Sequence, residues 1–239
     1  MPSDDDGMGF PPASIEDNGG RPQLRGADDC PLCGEEGRSF LREKDREYLR
    51  CPTCLLTFVP ERGHSDPARE RERYARHRNA PQDEGYRAFL DRLLAPLCGR
   101  LAPGSVGLDY GCGPGPTASL MMGERGFSTR DYDPFFRPDG EALRRGYDFI
   151  VCTEVFEHLR RPAEDIARLD GLLNPGGWLG VLTGVLDDDA AFADWWYRRD
   201  FTHIAFYRPE TLQWIAQRFG WLLERPSCDA AIFRKSRIE

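Results

Sequence analysis

Four of the eight cysteines fall as two Cys-x-x-Cys pairs, Cys30 with Cys33 and Cys51 with Cys54, with seventeen residues between the pairs. Two such knuckles bring four thiolates into a tetrahedron, the closed geometry of a structural zinc ion, and Gly34 lets backbone amides turn toward the sulfurs. With all four positions filled by protein, that metal has no place for a reacting water and does not catalyse. A second concentration of chemistry is LDYGCGPGP, where Gly111, Gly113 and Gly115 remove side chains at a sharp turn lying close to a ligand. Pro116 stands where a dinucleotide fingerprint needs its third glycine, which disfavours a pyrophosphate against the helix start. Beyond the turn, Asp133 in RDYDPFF is placed either to accept hydrogen bonds from both hydroxyls of a ribose or to form a turn before Pro134. Asp131 is expected on the other face of that strand. Of the four histidines, His158 in EVFEHL and His203 in DFTHIAF are the candidates for taking a proton, and each suits a helix end or a core equally well. Glu154 and Glu157 read as scaffold or as chemistry.

The elements that must position these groups follow from the hydrophobic pattern. DPARERERYARHRNA reads as a solvent-facing helix capped by Asp66 with Pro67 in its first turn. From Asp83 to Leu97 the apolar residues recur at helical spacing and give one buried face. VGLDY, the STRDYD segment, YDFIVCT and GWLGVLTGVL read as strands, separated by helices over 117–125 and 162–173. A helix over 209–219 and two short runs, WLLER and AAIFRK, close the chain. This alternation predicts an α/β fold with a mainly parallel sheet and helices on both faces, preceded by a small zinc ribbon. Ligands of such sheets bind outside the carboxyl ends of the strands.

The composition narrows the partners. A formal net charge of −8 disfavours a protein that grips nucleic acid along its backbone. The segment from Cys30 to Arg62 carries six basic and six acidic side chains, which suits a structural or docking role over phosphate binding. The longest apolar run, Trp178 to Leu186, has nine residues, too few for a membrane span. The acidic start, MPSDDDGMGF, argues against export, so a cytoplasmic location with reduced thiols is expected. Cys98, Cys112, Cys152 and Cys228 are scattered among core elements and read as buried fillers.

The glycine turn preceded by an acid on the strand, together with YDFIVCTEVFEHL and LLNPGGWLGVLT in that order, resembles the class I S-adenosylmethionine-dependent methyltransferases. Within them the likeness is to a bacterial subgroup with a four-cysteine zinc segment in front. It covers roughly residues 70 to 239. It implies a Rossmann-like core in which Asp109 and the turn Gly111, Cys112, Gly113 and Gly115 face the methionine part and ribose of S-adenosylmethionine, and Asp133 holds the ribose. It implies also that Glu154 and His158 lie by the cofactor's methionine end, and that Tyr74, His77 and Asn79 belong to a lid segment. His203, following an aromatic loop with Trp195, Trp196 and Tyr197, falls where relatives close over the acceptor. One departure is plain: about a dozen residues separate Asp133 from Tyr147, so the usual third strand and its adenine-binding acid are lost or shortened.

The expected organisation is a disordered tail over 1–29, a zinc ribbon over 30–62, a helical lid or linker over 63–100 and a methyltransferase core over 101–239. The expected reaction is methyl transfer to a small-molecule acceptor, with His203 or His158 as catalytic base. The rivals are an RNA methyltransferase using a basic strip of Arg69, Arg71, Arg73, Arg76 and Arg78, and a cofactor-binding module without turnover.

Overall fold

The computed structural model describes residues 26–76 and 80–237. Most of the expected tail, and His77, Arg78 and Asn79, lie outside the described residues. Its centre is a six-stranded sheet in the order β5-β4-β6-β7-β10-β9. The strands are β4 (Val106–Tyr110), β5 (Ser128–Tyr132), β6 (Tyr147–Thr153), β7 (Leu173–Leu182), β9 (Leu222–Glu224) and β10 (Ala230–Arg234). The first four run parallel, while β10 pairs antiparallel with both β7 and β9. The two short C-terminal runs thus finish the sheet with a reversed edge.

Alternation along β6 shows why the sheet is covered on both faces. Ile150 and Cys152 point into one cluster with Ile166 and Leu169 of helix α4 (Pro162–Leu172) and Leu212 and Ile215 of α5 (Pro209–Phe219). Phe149 and Val151 point the other way, against Leu90, Leu93, Leu94 and Leu97 of α2 (Glu84–Cys98) and Met121 and Met122 of α3 (Thr117–Glu124). A strand buried on both sides reads as a continuous apolar run, as YDFIVCT does.

β5 is an edge strand of this sheet. Between it and β6 there is an isolated bridge, Asp133 to Arg137, and a 3-10 turn over Gly140–Arg144. Among the described residues β5 has no neighbour on its far side, which matches the shortened spacing seen in the sequence.

The cysteine segment forms β1 (Arg38–Glu43), β2 (Arg46–Arg50) and β3 (Thr57–Phe58). Its sheet does not end there: β3 pairs with β8 (Ala205–Phe206), directly after His203. Cys30, Cys51, Cys54 and Leu56 share a core with Phe156, Tyr207 and Leu212. The ribbon is joined to the main body by a strand pair and by common apolar packing. Helix α1 (Pro67–Ala75) follows, with the Asp66 side chain accepting from the Arg69 amide at 3.0 Å and Pro67 at its first position, as expected.

Candidate active site

β4 ends at Tyr110 and the chain turns through two glycines with positive φ, Gly111 at 80° and Gly113 at 63°. An L-residue is strained in this region, and a Cβ on Gly111 would sit 2.5 Å from Val155 Cγ2. The amides of Gly111 and Cys112 both donate to the Tyr132 carbonyl, at 2.7 and 3.1 Å, which binds the turn to the end of β5. The Gly113 amide donates to Asp133 Oδ2 at 3.0 Å, while Oδ1 accepts from the amides of Phe135 and Phe136 at 2.8 and 2.9 Å. Asp133 is therefore a turn-former before Pro134 and also a carboxylate at the glycine turn. Both readings of that residue describe one geometry.

These groups line a cavity of about 580 Å³, within the size range of small-molecule sites. Gly111, Gly113, Asp133, Glu154, His158, His203 and Tyr74 all line it. The Tyr74 ring lies 5.9 Å from Phe135 and 5.0 Å from His158 between centroids. Sequence reasoning missed Tyr86 and Phe89 of α2, Glu70 of α1, Arg160 and Asp165, which also line it. Tyr86 and Phe89 had been legible only as part of a buried helix face. Glu70 and Arg160 form an ion pair at 2.7 Å that ties α1 to the loop after β6, a contact with no local signal.

Asp109 is buried beneath the cavity wall rather than on it, level with Asp131, whose carboxylate accepts from Ser119, and its charge reaches the cavity-lining Tyr86. Burial, then the Asp131 charge, pushes the Asp109 carboxyl up to about 7. Cys112 and Gly115 are also absent from the cavity wall, and the Cys112 thiol is pushed up by burial. Asp131 is kept from the cavity by its bond to Ser119, not by alternation, which puts residues two apart on one face; β5 ends at Tyr132, and Asp133 already belongs to the turn beyond it. In the aromatic loop, Trp196 is 69% exposed and Trp195 packs on Tyr197 at 4.9 Å. Neither indole lines the cavity; the Tyr197 ring instead supports His203 at 4.2 Å.

Glu154 has a φ of 55°, a left-handed conformation uncommon outside glycine and often found where a site constrains the backbone. Burial, then the Glu157 charge, raises its carboxyl to about 9, so it is protonated at neutral pH. Burial lowers His203 to about 4, which keeps its imidazole neutral. His158 Nδ1 lies 3.0 Å from the Thr202 carbonyl, which only accepts, so this nitrogen donates.

The segment carrying His203 is held by the ribbon. The Arg46 guanidinium of β2 donates to the carbonyls of Arg198 and Asp200, both at 2.9 Å, of Phe201 at 3.4 Å, and of His203. In the ribbon itself, the sulfurs of Cys30 and Cys54 lie 3.5 Å apart and those of Cys33 and Cys51 3.3 Å apart, with all four cysteines free. Zinc with bonds of about 2.3 Å needs sulfurs roughly 3.8 Å apart, so a small outward shift accommodates the ion. The knuckles repeat one geometry: Cys30 N donates to Glu35 O at 2.8 Å, and Cys51 N to Leu56 O at 2.9 Å. The left-handed residue is Gly34 in the first and Leu55 in the second. Hydrogen bonds from Cys30, Cys33 and Cys54 push the Cys51 thiol far down.

A family model described as a methyltransferase domain matches residues 74–225. A ubiquinone biosynthesis O-methyltransferase of Thiobacillus denitrificans (strain ATCC 25259 / T1) is 31% identical over 109 residues, covering 36% of this chain and 44% of that protein. The chain thus spans less than half the length of the curated relative it matches. Among solved structures, the 1,6-didemethyltoxoflavin-N1-methyltransferase of Burkholderia thailandensis, with bound 1,6-didemethyltoxoflavin and S-adenosylhomocysteine, is similar over 83% of this chain and 99% of that one. Its TM-score is 0.51 at 14% identity. An O-methyltransferase family protein from the same organism covers 71% of this chain and 64% of its own, with a TM-score of 0.49 at 15% identity.

Proposed function

The chain belongs to the methyltransferase-domain family, and from that premise we propose that it transfers a methyl group from S-adenosylmethionine to a small-molecule acceptor. The observation that carries this reading is the meeting of the Gly111–Gly113 turn and the Asp133 carboxylate on one cavity wall, at the carboxyl ends of β4 and β5. That is where a doubly wound sheet binds its ligand. Asp133 would hold the ribose, and Phe135 and Tyr74 offer flat apolar surface for the adenine. Methyl transfer from a sulfonium is an in-line displacement, so positioning supplies most of the acceleration. Here α1 and α2 cover the cavity, which fits a lid over 63–100 that excludes water.

His158 and His203 line the same cavity and are the groups available to an acceptor that must lose a proton. Burial makes His203 hard to protonate and so a weak base. We assign a structural zinc to Cys30, Cys33, Cys51 and Cys54, on the strength of their spacing, their free thiols and their repeated knuckle geometry. The ubiquinone biosynthesis O-methyltransferase and the 1,6-didemethyltoxoflavin-N1-methyltransferase are named for small-molecule acceptors, which supports the choice of acceptor class. The basic strip supports it too: Arg69 stacks on Phe201 at 4.3 Å, Arg73 pairs with Asp200 and Arg76 with Glu72, so these cations are engaged within the fold.

The test is incubation of the purified chain with methyl-labelled S-adenosylmethionine and a cell extract, followed by separation of small molecules from RNA and protein. Label in the small-molecule fraction is expected; label confined to RNA would contradict the acceptor class.

A further inference from the structure

Glu157 is fully buried. Oε2 accepts from the Thr183 hydroxyl at 2.8 Å and the carboxylate also interacts with the Glu154 carboxyl, while Oε1 has no hydrogen-bond partner of good geometry among the described residues. His203, 6% exposed, leaves Nδ1 unpartnered in the same way, and its ring is anchored by a backbone hydrogen bond at Tyr197. His158 donates from Nδ1 to the Thr202 carbonyl, which leaves a lone pair on Nε2. That nitrogen lies 3.9 Å from Glu157 Oε1, too far for a hydrogen bond and about half an ångström beyond the roughly 3.4 Å between two ligands of a tetrahedral zinc, so the side chains close in slightly on an ion. One donor atom from each of the three residues falls within 4.8 Å of the others. A buried carboxylate oxygen left unpaired is costly, and so is a buried imidazole nitrogen. A cation between them satisfies every one of these lone pairs at once.

We infer that Glu157, His158 and His203 form a second metal site, for a divalent cation of the zinc class, distinct from the four cysteines and open to the cavity. Two imidazoles and one carboxylate are a ligand set that suits zinc while leaving at least one position for a water or a substrate oxygen. Each histidine already donates its other ring nitrogen to the backbone, the arrangement that fixes tautomer and orientation in metal-binding histidines. The chain positions all three by linked means. Glu157 and His158 share a 3-10 turn after β6, and the Ile204 amide donates to the Glu157 carbonyl at 2.8 Å, which registers His203 against them. Both histidines line the cavity, so the open position faces an oxygen-bearing acceptor. The inference concerns metal binding and stands whether or not the methyl-transfer reading holds; with the cation bound, neither imidazole is free to act as the base that deprotonates the acceptor.

The experiment is a cobalt(II) titration of the full-length chain with its cysteines already loaded with zinc. One equivalent should bind and give the ligand-field absorption of nitrogen and oxygen ligands, without a thiolate-to-cobalt charge-transfer band. His203→Gln and Glu157→Gln should each weaken cobalt binding at least tenfold, with folding verified by circular dichroism. If either variant unfolds, the wild-type spectrum and stoichiometry decide. No cobalt bound beyond the zinc-loaded cysteines, a spectrum dominated by thiolate charge transfer, or unchanged affinity in both folded variants would each overturn the inference.

Discussion

The carboxylate of Asp133 is nearly consumed by the fold. It has about four lone-pair directions, and three are taken by the amides of Gly113, Phe135 and Phe136. One direction on Oδ2 remains, so a ribose would be held through a single strong bond rather than by both oxygens. Asp133→Ala should lower affinity for S-adenosylhomocysteine roughly tenfold or more, from the loss of a bond to a charged group contributing about 1.5–3 kcal/mol. It should also lower the melting temperature, because three amides lose their acceptor. Asp133→Asn keeps Oδ1 for Phe135 and Phe136 and should lose affinity with less loss of stability; unchanged affinity by calorimetry in both variants would assign the ribose elsewhere. Asp109 has a different signature. Its folded-state value near 7 lies above the ordinary carboxyl range near 3.9, so the folded state holds the extra proton between these limits. Its contribution to stability is complete below about pH 4 and is lost as the pH rises through about 7. Asp109→Asn should remove that component and leave the variant relatively more stable at pH 8 than at pH 5, when melting curves are compared with wild type. A constant difference across that range would show that Asp109 ionises normally.

At the scale of elements, the ribbon acts on the cavity through Arg46 and through the pairing of β3 with β8. Arg46→Ala should speed hydrogen exchange of the amides over 198–204 by about 10- to 100-fold, the range expected when bonds to a charged group are lost. Arg46→Lys should recover only part of the protection, since an ammonium cannot reproduce the planar fork. Exchange that is unchanged in this segment would refute the clamp. None of this was legible beforehand, because a pairing between residues 57 and 206 leaves no trace in local pattern. What was legible rested on local rules. The period of the apolar residues located α2 and β6, and the cap Asp66 marked its helix. The paired cysteines announced a cluster that the fold does bring together. The short gap before Tyr147 foretold an edge at β5. Orientation was harder: the Asp109 carboxyl of LDYGCGPGP interacts with Ser119 of α3 and its charge reaches Tyr86, while the neighbouring Tyr110 lines the cavity. The wall formed by Tyr86, Phe89 and Asp165 arises from three separate elements and is visible only once they meet.

For the whole molecule, the ribbon and the main sheet share one apolar cluster, since Cys30, Cys51 and Cys54 pack with Phe156 and Tyr207. Zinc removal by a chelator should therefore lower the melting temperature of the entire chain in one transition, rather than melting a separate unit; two resolved transitions would contradict that coupling. Cofactor binding should act in the opposite direction. At a ligand concentration of about 100 times Kd the stabilisation is about 2.7 kcal/mol, which for a chain of this size raises the melting temperature by roughly 5–11 °C. None of the described helices is long and apolar enough to cross a membrane. The most direct test of the central claim is a calorimetric titration of the zinc-loaded protein with S-adenosylmethionine and, separately, S-adenosylhomocysteine. One site per chain for each ligand, weakened in Asp133→Ala, is the predicted result; heat no different from dilution for both ligands at millimolar concentration would contradict the account.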